Sequence, residues 1–214
     1  HKDKETFYVM TNERDAKYFD VYQYSAGDYS RQLVFENTTG YSIESISPDG
    51  QLVALSKSHS NSNSDLYLVD ILNKSAKATH ISPHEGNVAY FAYTFTRDSK
   101  QLIYATNEFG EFNQAWSYDI ASGEHNVNFK APWDVSFSYF SEDGKYQVTG
   151  INADAQTKIE TKDLESNTSL ALPNMPSGDL RGVNFSADSS TLVFYVNSDT
   201  SPSDLYVHKM GSNS

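Results

Sequence analysis

The sequence contains no cysteine among its 214 residues. Disulfide bonds and thiolate metal sites are therefore excluded, while the cellular compartment stays open. No stretch approaches the ~20 consecutive apolar residues that a membrane-spanning helix needs. No signal peptide is visible, and because the chain begins at His1 without an initiator Met, we expect a processed or trimmed product.

Basic residues are scarce relative to acidic ones. The chain carries 16 Lys and Arg against 28 Asp and Glu, which gives a formal net charge of −12. An acidic surface repels a phosphate backbone, so nucleic acid is not expected as a partner. The sequence has no zinc motif and no glycine-rich phosphate loop, so it predicts neither a metal nor a cofactor.

Aromatic residues are abundant, with 15 Tyr and 12 Phe. Aromatic side chains fit half-buried, pleated surfaces, so this composition favours β-strands. A chain of this length is also large enough to form a real core, because proteins of this size bury about 70% of their unfolded surface.

A five-residue phrase recurs along the chain: an apolar residue, Ser or Thr, any residue, Asp, and Gly or Ser. Its four copies are Ile46–Gly50, Phe95–Ser99, Phe140–Gly144 and Phe185–Ser189. The Asp positions are 49, 98, 143 and 188, so successive copies lie 49, 45 and 45 residues apart. Such residues favour tight turns, and an alternating apolar segment follows each copy. Each copy therefore predicts a β-hairpin.

A second phrase, typified by Asp-Leu-Tyr, follows each hairpin. It starts at positions 20, 65, 114, 158 and 204, which are 45, 49, 44 and 46 residues apart. Two independent phrases therefore share one period. Fainter fourth strands are predicted at Arg31–Phe35, Ala78–Ile81, Val127–Phe129 and Ser169–Leu172. Four short strands in a repeat of this length are typical of a β-propeller blade.

The strand that opens each unit is apolar or aromatic on both alternating faces. These strands are Tyr41–Ile46, Val88–Phe95, Asp134–Phe140 and Leu180–Phe185. Such a strand needs cover on both faces, whereas a sandwich predicts cleaner alternation. We therefore predict an all-β fold, a β-propeller of four-stranded antiparallel blades, with a β-sandwich or β-helix as alternatives. The single domain, 1–214, would contain five units, at residues 1–38, 39–84, 85–130, 131–174 and 175–214.

The first and last units are incomplete. Phe7–Met10 has the pattern of a second strand with no first strand before it, and the chain ends after a third strand at Asp204–Met210. Either the piece closes as a five-bladed ring or it belongs to a larger propeller. We favour the larger propeller.

Several stretches resemble a known family. Asp65–Ile71, after the Ser-Pro-Asp-Gly hairpin, resembles the N-terminal propeller of prolyl-oligopeptidase-type serine peptidases. Tyr8–Asp15, Ser82–Val88 and Ser201–Val207 resemble its acylaminoacyl- and oligopeptidase-like bacterial branch. The hairpin phrase is shared with the propeller of TolB, which forms the wider group.

The resemblance implies that this chain is a non-catalytic part of a peptidase. In that family the propeller caps a C-terminal α/β-hydrolase domain, whose catalytic Ser lies in a Gly-x-Ser-x-Gly elbow. None of the eleven glycines here begins that motif, and the nearest segment, Gly40–Glu44, lacks the second Gly. The family therefore implies a propeller that gates or selects peptide substrates for a hydrolase domain absent from this chain. The parent would be a serine peptidase, and we favour the bacterial periplasm over the cytoplasm.

Acidic and aromatic side chains near strand ends are the candidate contacts for a peptide. One loop of this kind lies between two strands of the third unit, and Asn12–Phe19 occupies the matching place in the first unit. Two further candidates begin first strands near the expected channel mouth. The candidates are Glu108, Glu111, Phe112, Asp134 and Arg181.

The histidines are weaker candidates for a functional site than these acidic and aromatic residues. His80 and His84 are four residues apart, but Pro83 between them indicates a loop, where this spacing has no set geometry. We expect solvated loop histidines here, and the same at the isolated His59 and His125.

Two other functions stay open. A free-standing propeller of the TolB type would bind a protein partner on one face. A propeller enzyme such as a glycosidase or pectin lyase would need carboxylates that converge at the channel mouth. The first strands offer Glu44, Asp134 and Asp179 for that purpose, and we rank this reading last.

Overall fold

The computed structural model describes residues 5–73, 75–170 and 178–211. These residues form eighteen β-strands in five antiparallel sheets, without a helix in the described part. The fold class predicted from the sequence is therefore confirmed as all-β, with sheets of three or four antiparallel strands. None of the described residues belongs to a helix long and apolar enough to cross a bilayer.

The strands of each sheet follow one another along the chain. The first sheet has three: β1 (Thr6–Asp15), β2 (Tyr18–Ser25) and β3 (Arg31–Phe35). The second has four: β4 (Ser42–Ile46), β5 (Leu52–Ser60), β6 (Asn63–Asp70) and β7 (Thr79–His80). The third also has four: β8 (Tyr90–Phe95), β9 (Gln101–Thr106), β10 (Gln114–Asp119) and β11 (His125–Phe129).

The last two sheets continue this order. The fourth contains β12 (Asp134–Phe140), β13 (Tyr146–Ala153), β14 (Gln156–Asp163) and β15 (Thr168–Ser169). The fifth contains β16 (Asp179–Phe185), β17 (Thr191–Ser198) and β18 (Ser201–Lys209). The predicted fourth strand at Ser169–Leu172 is observed only at its start, and its end lies outside the described residues.

The recurring turn phrase forms the tight hairpin turns. The Ser47 hydroxyl donates a hydrogen bond to Asp49 at 2.5 Å, and the same hydroxyl oxygen accepts the N–H of Leu52 at 2.8 Å. The last residue of every copy has a positive φ, and these four residues are Gly50, Ser99, Gly144 and Ser189. Positive φ is most accessible to Gly, which explains the Gly in two copies, while Ser occupies it in the others.

Contacts between Cα atoms divide the chain into two compact units. The first comprises His1–Phe109 and Trp116–Asn126, and the second comprises Gly110–Ala115 and Val127–Ser214. In the first unit, Leu66 and Leu68 of β6 share a core cluster with Tyr90 of β8. Each unit therefore has its own buried interior.

The second unit has a comparable core between its sheets. Val148 of β13 clusters with Val183, Leu192 and Phe194 of the fifth sheet, and each is about 1% exposed or less. Apolar side chains from successive sheets thus cover one another, as the apolar pattern of the first strands predicts.

One predicted loop is much shorter than expected. The segment Asn12–Phe19 was expected to form a loop, but β1 continues to Asp15 and β2 begins at Tyr18. The prediction was wrong because Thr11 pairs with Asp20 and, after an irregularity, Asp15 pairs with Tyr18. Pairing across the hairpin therefore extends the strands into the polar segment.

Candidate functional site

Glu108 follows β9 and is oriented by a tyrosine. Its carboxylate accepts the hydroxyl hydrogen of Tyr90, which is only 4% exposed. Burial, together with the neighbouring carboxylate, raises the pKa of Tyr90, so the hydroxyl remains a donor at neutral pH. Glu108 is therefore held against the first strand of its sheet.

Phe112 and Trp133 form an aromatic pair in the second unit. Their ring centroids are 6.1 Å apart at an interplanar angle of 40°, and Trp133 is 39% exposed. Gln114 supports the pair, because its Nε2 donates to the carbonyl of Trp133 at 3.2 Å and its Oε1 accepts the N–H of Ala131 at 2.7 Å. The exposed Glu111 adjoins Phe112 in sequence. Aromatic faces beside a carboxylate suit aromatic or cationic peptide side chains.

Asp134, the first residue of β12, forms hydrogen bonds with the end of the connection between β9 and β10. Its Oδ1 accepts the N–H of Asn113 at 2.8 Å and lies 3.2 Å from Asn113 Nδ2. The N–H of Val135 returns a hydrogen bond to the carbonyl of Asn113 at 2.8 Å. This carboxylate therefore positions the β9–β10 connection at the beginning of β12.

Arg181 pairs with Asp179, two residues before it on β16. Its Nε lies 2.9 Å from Asp179 Oδ2, while Asp179 Oδ1 accepts the N–H of Thr157 at 2.7 Å. Partial burial acts to raise the pKa of Asp179, but the Thr157 and Arg181 contacts outweigh it, so the pKa is lowered. Asp179 therefore repeats, one period later, the contact that Asp134 makes.

Three histidines surround the carboxylate of Asp65 in the first unit. The Nε2 atoms of His59, His80 and His84 lie 2.7, 3.1 and 3.3 Å from its oxygens. Partial burial acts to raise the pKa of Asp65, but the contacts with His59 and His80 outweigh it, so the pKa is lowered. We call these four side chains the histidine cluster.

His84 is the buried member of the histidine cluster. Its side chain is 5% exposed and stacks on Tyr90, with ring centroids 5.6 Å apart. Its Nε2 lies 3.3 Å from Asp65 without the geometry of a hydrogen bond, and neither ring nitrogen has a hydrogen-bond partner among the described residues. The expectation of a solvated residue is therefore wrong for His84, and the expectation of a loop is wrong for His59, His80 and His125, which lie in β5, β7 and β11. His80, at 38% exposure, lies at the end of the short strand β7.

Strand pairing produces this convergence. Lys57 lies opposite Asp65 in the β5–β6 register, which places His59 close to Asp65 on the neighbouring strand. His80 lies opposite Tyr67, two residues beyond Asp65 on the same face. The sequence signal for this cluster was the repeat itself. Strand pairing inferred from the repeat would have placed His59 and His80 beside Asp65.

The histidine cluster does not have the arrangement of a hydrolytic triad. A triad imidazole contacts the acid through one ring nitrogen and the nucleophile through the other. Here Nε2 of His80 faces both Asp65, at 3.1 Å, and the hydroxyl of Ser82, at 3.5 Å. Across residues 5–73, 75–170 and 178–211, no three His, Asp or Glu side chains form a group that could hold a metal ion. The cluster is a group of polar side chains from β5, β6, β7 and the loop that follows β7.

An open depression of about 540 Å³ adjoins the histidine cluster at His59. Its lining residues are Ser58, His59, Ser60, Asn61, Ser64 and Phe91. Phe91 is 42% exposed and supplies an aromatic wall to this otherwise polar depression. This surface offers hydrogen-bonding groups and one apolar contact to a bound chain.

The fold matches solved structures of TolB. TolB from Acinetobacter baumannii superimposes with a TM-score of 0.66 over 97% of this chain and 50% of that chain, at 19% identity. A putative TolB from Agrobacterium tumefaciens has a TM-score of 0.61 over 95% of this chain and 76% of that chain, at 18% identity. This chain thus spans half the length of the first of these proteins.

Solved structures of prolyl oligopeptidases also match the fold of this chain. Prolyl oligopeptidase B from Galerina marginata matches with a TM-score of 0.71 over 98% of this chain and 31% of that chain, at 11% identity. A structure from a study of two prolyl endopeptidases matches with a TM-score of 0.67 over 97% and 32% of the respective chains, at 14% identity. The resemblance expected from the sequence is therefore confirmed at the level of the fold. Identities this low do not transfer function.

No protein-family model matches the sequence, and no protein of curated function matches it.

Proposed function

We propose that this chain is the non-catalytic propeller region of a serine peptidase, and that it gates or selects peptides for a hydrolase domain outside this sequence. The observation that carries the proposal is the match to prolyl oligopeptidase B, which covers 98% of this chain but only 31% of that chain. A chain that corresponds to the propeller region alone would match along its whole length but would cover only part of the complete peptidase.

In this proposal the five sheets are five blades of one larger propeller, which spans residues 1–214 and continues beyond them. Because a propeller presents its strand-connecting loops on two faces, peptide contacts are expected at those loops. Glu111, Phe112 and Trp133 are the proposed contacts in the second unit, since they expose a carboxylate beside aromatic rings. Glu108, Asp134 and Arg181 are proposed to border the route that a peptide follows.

The partners in this proposal are short peptides and the hydrolase domain itself. The net charge of −12 favours peptides with basic residues over acidic ones. We further propose a periplasmic location in a bacterial cell.

A free-standing TolB-like propeller is the second candidate. It is favoured by the putative TolB from Agrobacterium tumefaciens, of which this chain covers 76%, and by the higher identities of 18% and 19% to the two TolB structures. In that case the exposed aromatic and acidic side chains would contact a protein partner.

The parent protein, produced from its complete reading frame, distinguishes these functions. A series of peptides of increasing length is incubated with the parent, and cleavage is followed by mass spectrometry. The peptidase proposal predicts cleavage of short peptides, a steep loss of cleavage with length, and no cleavage by residues 1–214 alone. A parent that cleaves nothing and retains a specific protein partner on affinity purification would instead support the TolB-like function. Cleavage by residues 1–214 alone would overturn both.

A further inference from the structure

In the second sheet, the strand that carries the Asp-Leu-Tyr phrase packs on the sheet that follows. Leu66 and Leu68 of β6 are 1% and 7% exposed. Both share a core cluster with Tyr90 and Ala92 of β8, the first strand of the third sheet. The second and fourth residues of the phrase therefore lie between successive sheets.

The fourth sheet repeats this packing. Ile159 of β14 has the same place in the phrase as Leu66, and it packs in a cluster with Val183 of β16. Thr161, which corresponds to Leu68, is 2% exposed. In both compact units, the second residue of the phrase therefore packs against the first strand of the next sheet, and the fourth residue is buried.

The fifth sheet lacks that cover. Leu205 and Val207 of β18, at the same two positions, are 57% and 64% exposed, and Tyr195 is 44% exposed. Leu205 lies opposite Tyr195 in the pairing of β17 with β18, so the two share one face. The opposite face is buried through Phe194 and Tyr206. We call Tyr195, Leu205 and Val207 the open face.

A hydrogen bond accompanies this packing in the second, third and fourth sheets. The residue before the phrase donates its N–H to the beginning of the following first strand. These bonds join Ser64 to the carbonyl of Val88 at 3.0 Å, Asn113 to Asp134 at 2.8 Å, and Thr157 to Asp179 at 2.7 Å. Ser203 is the corresponding residue of the fifth sheet.

We infer that the open face is the docking surface for the first strand of a further antiparallel sheet, which follows residue 214 in the parent protein. The inference rests on the proposed role as part of a larger propeller. The docking strand begins with an Asp that accepts the N–H of Ser203, because Asp is the acceptor in both preceding copies. An apolar residue follows this Asp directly, as Val135 and Leu180 do, and a Phe lies six residues after it, as Phe140 and Phe185 do.

The repeat also places this strand along the chain. Asp134 and Asp179 are 45 residues apart, so the same period puts the next Asp about ten residues after Ser214. A second copy of the chain is the weaker occupant, because each copy carries a net charge of −12 and like charges oppose association.

Cysteine accessibility in the parent protein tests the docking surface. Residues 1–214 contain no cysteine, so single variants Leu205→Cys and Leu72→Cys are made after any cysteines elsewhere have been replaced. Leu72 is the matched control, because it is a Leu that is 71% exposed. Thiol alkylation is timed under native conditions and again in urea. Val207→Cys provides an independent readout if Leu205→Cys does not fold.

We expect the cysteine at 205 to react about a hundredfold more slowly than the one at 72 in the native parent, because reaction then requires local opening. The two should react equally fast in urea. Equal native rates would overturn the inference, and so would protection that disappears as a dimer of the parent dissociates on dilution. The readout does not depend on catalysis. Protection in a parent without peptidase activity would support this docking surface and overturn only the peptidase role.

Discussion

Phe137 lies opposite Gly150 in the pairing of β12 with β13, and its ring occupies the space that a Cβ at position 150 would need. The close approach of the ring explains a glycine in the middle of a buried strand.

Gly150→Ala should therefore destabilise the protein. We expect a loss of about 1–3 kcal/mol in the free energy of unfolding, because the methyl group must displace the Phe137 ring. Urea unfolding followed by circular dichroism measures the loss. Gly110→Ala is the control, since no atom lies within 4 Å of its added Cβ. In a Phe137→Leu background the Gly150→Ala change should cost less, and an unchanged cost would contradict this explanation.

Asp179 should stabilise the fold because its Oδ1 accepts the hydrogen bond from the Thr157 N–H. Asp179→Ala removes the partner of the Thr157 N–H and should cost about 1–3 kcal/mol. Asp179→Asn keeps an acceptor oxygen and should cost less. The exposed Asp199 provides the control variant Asp199→Ala, and unfolding midpoints compare all three. If the Ala and Asn variants at 179 lose equal stability, charge rather than hydrogen bonding explains the effect.

Asp65 should make the protein sensitive to acid. Because the contacts with His59 and His80 hold its pKa below the ordinary value of 3.8, the carboxylate stabilises the fold above that pH. This stabilisation is lost as the pH falls through the folded-state pKa. Asp65→Asn should lower stability at neutral pH and flatten the acid limb of a stability–pH curve. Asp199→Asn should leave the curve unchanged, and a wild-type acid limb in Asp65→Asn would contradict the prediction.

Two ion pairs of the first sheet should differ in their contribution. Arg14 binds the fully buried Asp20 at 2.7 and 2.9 Å, whereas Arg31 binds the exposed Glu13 at similar distances. Asp20→Ala should cost about 3–5 kcal/mol, because it removes the acceptor of the Asn37 N–H and the buried carboxylate that pairs with Arg14. Glu13→Ala should cost much less, because solvent screens an exposed ion pair. Equal losses in urea unfolding would show that burial does not set the difference.

The aromatic pair of the second unit should affect peptide binding in the parent. Trp133→Ala and Phe112→Ala should each raise KM for peptide substrates by about fivefold while kcat stays unchanged, since they remove binding surface remote from the chemistry. Leu164→Ala, at a 38% exposed leucine of the same unit, is the control. An unchanged KM in both aromatic variants would remove this surface from the peptide route.

The hairpins of the fold could be predicted because their turns depend on contacts over a few residues. Within a single copy of the phrase, the hydroxyl of Ser186 donates to Asp188 at 2.6 Å. The hydrogen bonds from Ser186 and Ser190 lower the pKa of Asp188 to about 2. Residue types and their spacing therefore suffice to identify such a turn.

The candidate site was less predictable. Asp134 lies at the expected beginning of its strand, yet its carboxylate contacts Asn113, 21 residues earlier. Similarly, His59, His80 and His84 meet at Asp65 from different strands and a loop. Neither arrangement has a local sequence pattern, since each depends on how strands pair.

Most strands, the hairpin turns and the repeat of about 45 residues follow from the amino-acid sequence alone, because alternating apolar residues and turn-forming side chains act over short distances. The folded arrangement of the sheets was needed to show which carboxylates accept backbone N–H groups and which histidine is buried. It also decided that Leu205 is exposed while Leu66, at the same place in the repeat, is covered. These outcomes depend on what the neighbouring sheet presents, and a residue's own sequence context does not contain that information.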